Sequence, residues 1–330
     1  MYEILITHDV EVQSPKGTLR WAYANRSLAL QKYAPPGFRV TRASNSDMRG
    51  RWEEVGKYDL FFNLDYACCE NIRWHSGKAV LVCSFNRDSH TRKEMWDRVT
   101  RISDWVVVNN YDRWSRDGVL PNTCCISNGV DTDLWYATRP IAERPHRVVW
   151  TGGTGVRKAK GYYEIMEPAA SRLAELGFEV SFRPVTDIDQ HQVLTQSEML
   201  AWYNDASYVL CVSESEGTPN YILEGMACGC VPVTTNVGNV CEFGRDGAWT
   251  NAVVIERSIE GVIEGLLRAR ESRERISSEA HRTIHEGWSY GDPARRADYY
   301  FRLFRALIER WPGGVLPFCY MDGTPEEVCP

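Results

Sequence analysis

No apolar run in the 330 residues approaches the ~20 needed to cross a bilayer, so an integral membrane protein is not expected. The opening Met1-Tyr2-Glu3-Ile4-Leu5-Ile6-Thr7-His8-Asp9 has no basic stretch ahead of its apolar residues and reads as a strand. A secretory leader is therefore not expected either. The 11 cysteines form no Cys-x-x-Cys pair, and most sit in apolar settings such as Val80-Leu81-Val82-Cys83 and Tyr208-Val209-Leu210-Cys211. Thiols there behave as small hydrophobes. Neither a disulfide framework nor structural zinc is expected, and a reducing, cytoplasmic setting is. Basic charge is not in excess: 38 Lys/Arg stand against 44 Asp/Glu, a net charge of −6. That argues against a protein that coats nucleic acid. The seven histidines show no ligand spacing; His281 and His285 are four apart on a helical pattern, lack a third ligand and read as surface residues. There is no fixed-period repeat and no low-complexity tract.

What is present is a globular composition, 43% hydrophobic and 25% charged, with length enough for two domains at roughly 100–200 residues each. Charge divides unevenly. Residues 1–145 hold 20 Lys/Arg and 18 Asp/Glu, leaving 18 and 26 in the remainder. Short β-branched runs are expected as strands at 2–7, 38–42, 59–63, 79–84, 105–108 and 124–127. A second set follows at 147–151, 178–184, 208–212, 231–235 and 252–255. Helical patterns lie between them at 18–33, 90–102, 160–176, 219–228 and 258–284, and a last aromatic-rich helix at 292–311. Strands alternating with helices mean parallel sheets, and two such series mean two doubly wound α/β domains. Thr138-Arg139-Pro140 and Arg144-Pro145 break regular structure and place the seam within Trp135–Pro145.

The chemistry concentrates in Ser213-Glu214-Ser215-Glu216-Gly217-Thr218-Pro219-Asn220-Tyr221-Ile222-Leu223-Glu224-Gly225-Met226-Ala227-Cys228-Gly229-Cys230-Val231-Pro232-Val233. A strand opens into a Gly/Pro turn, and a helix starts near Pro219, whose missing N–H suits a first helical turn. Backbone N–H groups and the helix dipole at that end form an anion site. Glu216 in the turn and Glu224 in the helix are acceptors suited to sugar or ribose hydroxyls. The helix stops at Cys228-Gly229, a glycine C-cap.

This passage closely resembles the signature of family-4-type retaining glycosyltransferases (glycosyl transferases group 1): a Glu, seven residues, a second Glu, then Ala/Gly-x-Gly-x-Pro-Val. Three further stretches resemble the same family in order: Ser127-Asn128-Gly129-Val130-Asp131-Thr132-Asp133, the run Arg147–Gly161, and Gly238-Asn239-Val240-Cys241-Glu242 with Asp246-Gly247. The resemblance covers roughly residues 100–255. It implies a GT-B fold of two Rossmann-like domains facing a central cleft: an acceptor domain over 1–140, a nucleotide-sugar domain over 141–290, and a segment 291–330 whose helix crosses back to the first. It gives Glu216 to the transferred sugar, Glu224 to the ribose, and the Gly217-Thr218-Pro219-Asn220 backbone to sugar and diphosphate. Glu216 and Lys160 are the implied catalytic pair, with no cofactor and no metal.

The chain departs from that family at two places. The expected Arg five residues before the Lys of Lys160-Gly161 is Gly155, which leaves Arg157 or Lys158 to substitute. No His follows the strand ending at Cys83-Ser84-Phe85-Asn86-Arg87-Asp88. Thr151-Gly152-Gly153-Thr154-Gly155 permits close phosphate approach at Gly153 but lacks both dinucleotide and P-loop spacing. Gly17 allows a second loop, Ser14–Thr18, to reach the donor phosphates. Asp131-Thr132-Asp133 matches an Asp-x-Asp metal site only formally and reads as a turn. Asp9, Asp65 and Asp88 follow first-domain strands and are candidates to orient an acceptor.

The expected reaction is transfer of a hexose or pentose from a UDP- or GDP-sugar to a hydroxyl acceptor, a glycan or lipid-linked saccharide. Arg39, Arg42, Arg49 and Arg51 with Trp52, and Arg87, Arg92, Lys93, Arg98 and Arg101 with Trp96, form two basic aromatic clusters. They keep open an anionic acceptor, peripheral contact with an anionic surface, or hydroxymethylated pyrimidine in DNA. A non-catalytic nucleotide-sugar or glycan-binding protein is the remaining alternative.

Overall fold

The computed structural model describes residues 1–8, 12–14, 17–19, 22–64, 79–85, 93–109, 122–153, 158–185, 194–244 and 250–310. The described residues of Met1–Ser14, Arg20–Gly129 and Arg295–Pro330 form unit 1, and those of Pro15–Leu19 and Val130–Ala294 form unit 2.

Unit 1 is built on a six-stranded sheet: β1 (Tyr2–His8), β2 (Phe38–Ser44), β3 (Leu60–Asn63), β4 (Val80–Phe85), β5 (Trp105–Val108) and β6 (Thr123–Cys125). Every pairing is parallel, in the order β2-β1-β3-β4-β5-β6. Strands are apolar on both faces because both faces are covered. Leu5, Phe61, Leu81, Cys83, Val106 and Cys125 join one cluster with Val55 and Val99, the latter on α2 (Lys93–Ile102). Phe38 and Phe62 face the other way, onto α8 (Ala297–Arg310). Ring centroids lie 5.0 Å apart for Phe38–Phe301 and 5.2 Å for Phe62–Phe304. The closing helix thus packs on the first sheet through its aromatic side chains. The helix α1 (Ala22–Lys32) follows β1.

Unit 2 repeats the plan with five parallel strands: β7 (Arg147–Gly153), β8 (Glu179–Val185), β9 (Tyr208–Cys211), β10 (Val231–Thr234) and β11 (Val253–Val254), ordered β8-β7-β9-β10-β11. Alternate residues serve opposite faces. Val148, Trp150, Tyr208 and Leu210 pack with α3 (Glu167–Glu175) and α6 (Ile259–Glu271) residues such as Leu173 and Leu266. Val149, Val209 and Cys211 pack with Trp202 and Tyr203 of α4 (Gln196–Asn204), Ile222 and Met226 of α5 (Asn220–Ala227), and Trp288.

The pattern at 258–284 suggests one helix; the structure has two, α6 and α7 (Arg273–Thr283), broken at Ser272. The run Arg270-Glu271-Ser272-Arg273-Glu274-Arg275 has no apolar residue to hold a continuous helix to the core. The break lets Ile276 join one face's cluster and Ala280 the other's. Helix α4 is absent from the expected set, yet Thr195 and Glu198 form a full capping box at its start. No helix among the described residues is long and apolar enough to cross a membrane.

Candidate functional site

In unit 2 the first strand, β7, has β8 on one side and β9 on the other, so the chain reverses direction between β7 and β9. Open α/β sheets bind ligands at the carboxyl ends of strands flanking such a switch point. The loops leaving these two strands carry Lys160 and Glu216.

Beyond β9 the chain is pinned from three sides. Thr235 Oγ1 donates to the Ser213 carbonyl at 2.7 Å, and the Glu214 N–H donates to the Ala159 carbonyl at 2.7 Å. Ser213, fully buried, donates its Oγ to Glu216 Oε1 at 2.7 Å. The Lys160 ammonium donates to the same Oε1 in an ion pair, the two side chains being 18% and 12% exposed. The Tyr221 ring centroid lies 6.0 Å from Lys160 Nζ.

The Lys-Gly pairing has a local cause. Lys160 ends a 3-10 turn, Lys158–Lys160, and Gly161 then takes φ +70 before a π-helical turn, Tyr162–Met166. A Cβ at Gly161 would meet the Val212 carbonyl oxygen at 3.1 Å. Glycine there permits both the left-handed backbone and close approach to the end of β9, which brings Lys160 to Glu216. Gly238, at φ +60, backs the other side of the loop, where a Cβ would overlap the Gly217 carbonyl oxygen.

Helix α5 begins at Asn220; its N-cap, Pro219, makes no side-chain hydrogen bond. Thr218 and Pro219 are buried and Asn220 half-buried. Glu224 lies on this helix. Tyr203, wholly buried, donates its hydroxyl to Glu224 Oε2 at 3.2 Å. Burial pushes the Glu224 carboxyl up to about 8, against an ordinary 4.5. Behind Tyr203, the buried Arg144 donates to the carbonyls of Arg139 at 2.7 Å, Ala206 at 3.2 Å and Tyr203 at 3.4 Å. The Tyr203 carbonyl lies where α4 ends and also accepts the Ala206 N–H at 3.1 Å, so the guanidinium adds a further donor there.

The structure thus brings Lys160, Glu216, Gly217, Thr218, Pro219, Asn220 and Glu224 onto two loops and one helix start at one sheet edge. Gly153 closes β7, and Gly17 opens a short strand, Gly17–Leu19. Asp9, Asp65, Asp88 and Arg157 lie outside the described residues. Asp131 is buried, and its Oδ1 accepts the Asp133 N–H at 3.1 Å, an Asx turn. His281 and His285 are half-buried rather than at the surface, with rings 4.3 Å apart, because α7 turns that face inward. Among the described residues no three His, Cys, Asp or Glu side chains gather as metal ligands. Sequence reasoning missed Ser213, Tyr203 and Arg144. Only Ser213 carried a usable signal, its place three residues before Glu216 at a strand end.

No curated protein matches the chain by sequence. Residues 166–271 match the family model described as Glycosyl transferases group 1. Among solved structures, sucrose-phosphate synthase from Thermosynechococcus elongatus is 12% identical with a TM-score of 0.68, covering 94% of this chain and 100% of its own. Anabaena HepE in complex with UDP and glucose is 12% identical with a TM-score of 0.67, covering 93% of this chain and 100% of that one. The catalytic domain of starch synthase IV from Arabidopsis thaliana, bound to ADP and acarbose, is 12% identical with a TM-score of 0.67, covering 94% and 99%. The fold is therefore GT-B, with two Rossmann-like domains, and the match over residues 166–271 supports a glycosyltransferase.

Proposed function

We propose that the chain transfers a hexose or pentose from a nucleotide-sugar to a hydroxyl acceptor, with unit 2 as the donor half and unit 1 as the acceptor half. The observation that carries this reading is the pairing of Lys160 with Glu216 at the switch point of the unit 2 sheet, beside the start of α5. A cation and a helix N-terminus stabilise the charge that develops on a departing nucleoside diphosphate. Glu216 takes sugar hydroxyls and Glu224 the ribose. UDP in HepE and ADP in starch synthase IV, bound by proteins of the same fold, support a nucleotide donor. Lys160 and the helix start supply the stabilisation without a metal. In the retaining course, the acceptor hydroxyl attacks on the face the diphosphate leaves. Its proton passes to the departing phosphate oxygen, and no covalent enzyme intermediate forms.

The test is incubation of the full chain with UDP-, GDP- and ADP-sugars, reading released nucleotide with and without glycan and lipid-linked acceptors. Turnover with one donor, with the product retaining the anomeric configuration, is the expected result. Calorimetric donor binding with no turnover across the panel would leave a binding protein instead.

A further inference from the structure

The unit 1 sheet also has a switch point, between β1 and β3, and a buried cation stands beside it with part of its hydrogen-bonding capacity unused. Arg26, on α1, is 2% exposed. Its guanidinium carbon lies 5.2 Å from the Phe62 ring centroid and 4.9 Å from that of Tyr300. Its Nη1 donates to Ser84 Oγ, near the carboxyl end of β4, at 2.8 Å. Its Nε and Nη2 are buried without a hydrogen-bond partner. Those two nitrogens are the side of the guanidinium that grips two oxygens at once. No carboxylate pairs with it among the described residues. The aromatic faces offset part of the cost of burying the charge and leave the N–H groups unmet.

The surroundings favour an anion. Arg42 on β2 donates its Nε to Ser27 Oγ at 2.8 Å, and its Nη2 lies 3.5 Å from His8 Nε2, at the end of β1. Among the described residues at this edge, the acid Asp47 is engaged by Ser44, whose Oγ donates to it at 2.6 Å. Thr7 Oγ1 donates to Asn63 Oδ1 at 3.0 Å across the switch point itself.

We propose that Arg26 is an oxyanion-binding residue whose Nε and Nη2 take two oxygens of a phosphate or carboxylate carried by the acceptor. This rests on unit 1 being the acceptor half and narrows the acceptor to an anionic one.

The test is thermal unfolding of the full chain carrying Lys160→Ala, which weakens the phosphate binding proposed for unit 2. Inorganic phosphate and glucuronate are compared with chloride at matched ionic strength. One of the two should raise the midpoint by about 1–3 °C near saturation, and which one does so tells phosphate from carboxylate. Adding Arg26→Met should abolish the rise while leaving the midpoint in chloride level or higher, because an unmet buried cation has gone. Arg26→Lys, which keeps charge and loses the fork, should keep less than half of the rise. No rise with either anion, or a rise that survives Arg26→Met, overturns the proposal. Should Arg26→Met not fold, the Arg26 Nε–H resonance, assigned through Arg26→Lys, decides: it moves on addition of phosphate or glucuronate, or the proposal fails. Failure of the transferase reading looks different, as absent turnover with the Arg26-dependent rise intact.

Discussion

Lys160 in unit 2 and Arg26 in unit 1 both follow the first strand of a parallel sheet with the same strand order, and they are satisfied differently. Lys160 is paired with Glu216, whose Oε1 also accepts from Ser213. Arg26 has two aromatic faces and one serine, with two nitrogens unmet. Arg144 sharpens the contrast, since it is just as buried and its nitrogens meet carbonyls throughout. Burial of a guanidinium is thus compatible with a strut or with a site held ready. What separates them is whether the protein itself completes the hydrogen bonds.

The largest effect expected is on turnover. Lys160→Ala and Glu216→Ala should each lower nucleotide release by about 10³-fold with the circular dichroism spectrum unchanged, as for loss of one preorganised electrostatic contact. Full activity in both would break the reading of unit 2. Next, Arg144→Met should cost about 2–3 kcal/mol in urea unfolding, because it removes the guanidinium's bonds to the carbonyls of Arg139, Ala206 and Tyr203. Arg26→Met should cost nothing or stabilise slightly, and equal losses would erase the distinction between the two arginines. Third, stability should fall as pH rises from about 5 to about 8. The folded carboxyl of Glu224 keeps its proton up to about 8, whereas the unfolded one releases it near 4.5. The folded state is therefore favoured at low pH and loses that advantage on the way up. Glu224→Gln should remove about 2–3 kcal/mol of that decline, read as the difference between the two pH profiles. A loss of about 1–3 kcal/mol is expected for Gly238→Ala, where a left-handed residue gains a Cβ against the Gly217 carbonyl. A matching rise in donor KM would place that contact in support of the Glu216 loop.

Much of this was legible in the sequence, for physical reasons. Strands buried on both faces read as continuous apolar runs, and the expected 105–108 and 208–212 fall on β5 and β9. The stretch around Glu216 was readable because a tight turn, a helix start and a glycine C-cap lie within one short segment. The pairing of Lys160 with Glu216 needed the fold, since 56 residues separate them. Helix α4 was passed over although Thr195-x-x-Glu198 announces it; its mixed polarity hid the period while its capping box did not. Arg26 was silent, because an arginine on a helix reads as solvated until Phe62 and Tyr300 close over it. Its meaning lies in α8, some 270 residues further on.

The salt link between Lys160 and Glu216 also shapes what an incoming anion encounters. The lysine is already engaged, so on the proposed function an arriving phosphate would displace a carboxylate instead of filling a vacancy. One ion contact would be traded for another, and the Lys160–Glu216 pair itself carries no net charge before arrival. Association at this loop should therefore respond less to ionic strength than capture by a bare ammonium would. On the proposed function, the same exchange would turn Glu216 loose from its cation as the phosphate docks, and the carboxylate would become available to hydroxyls only in the occupied site.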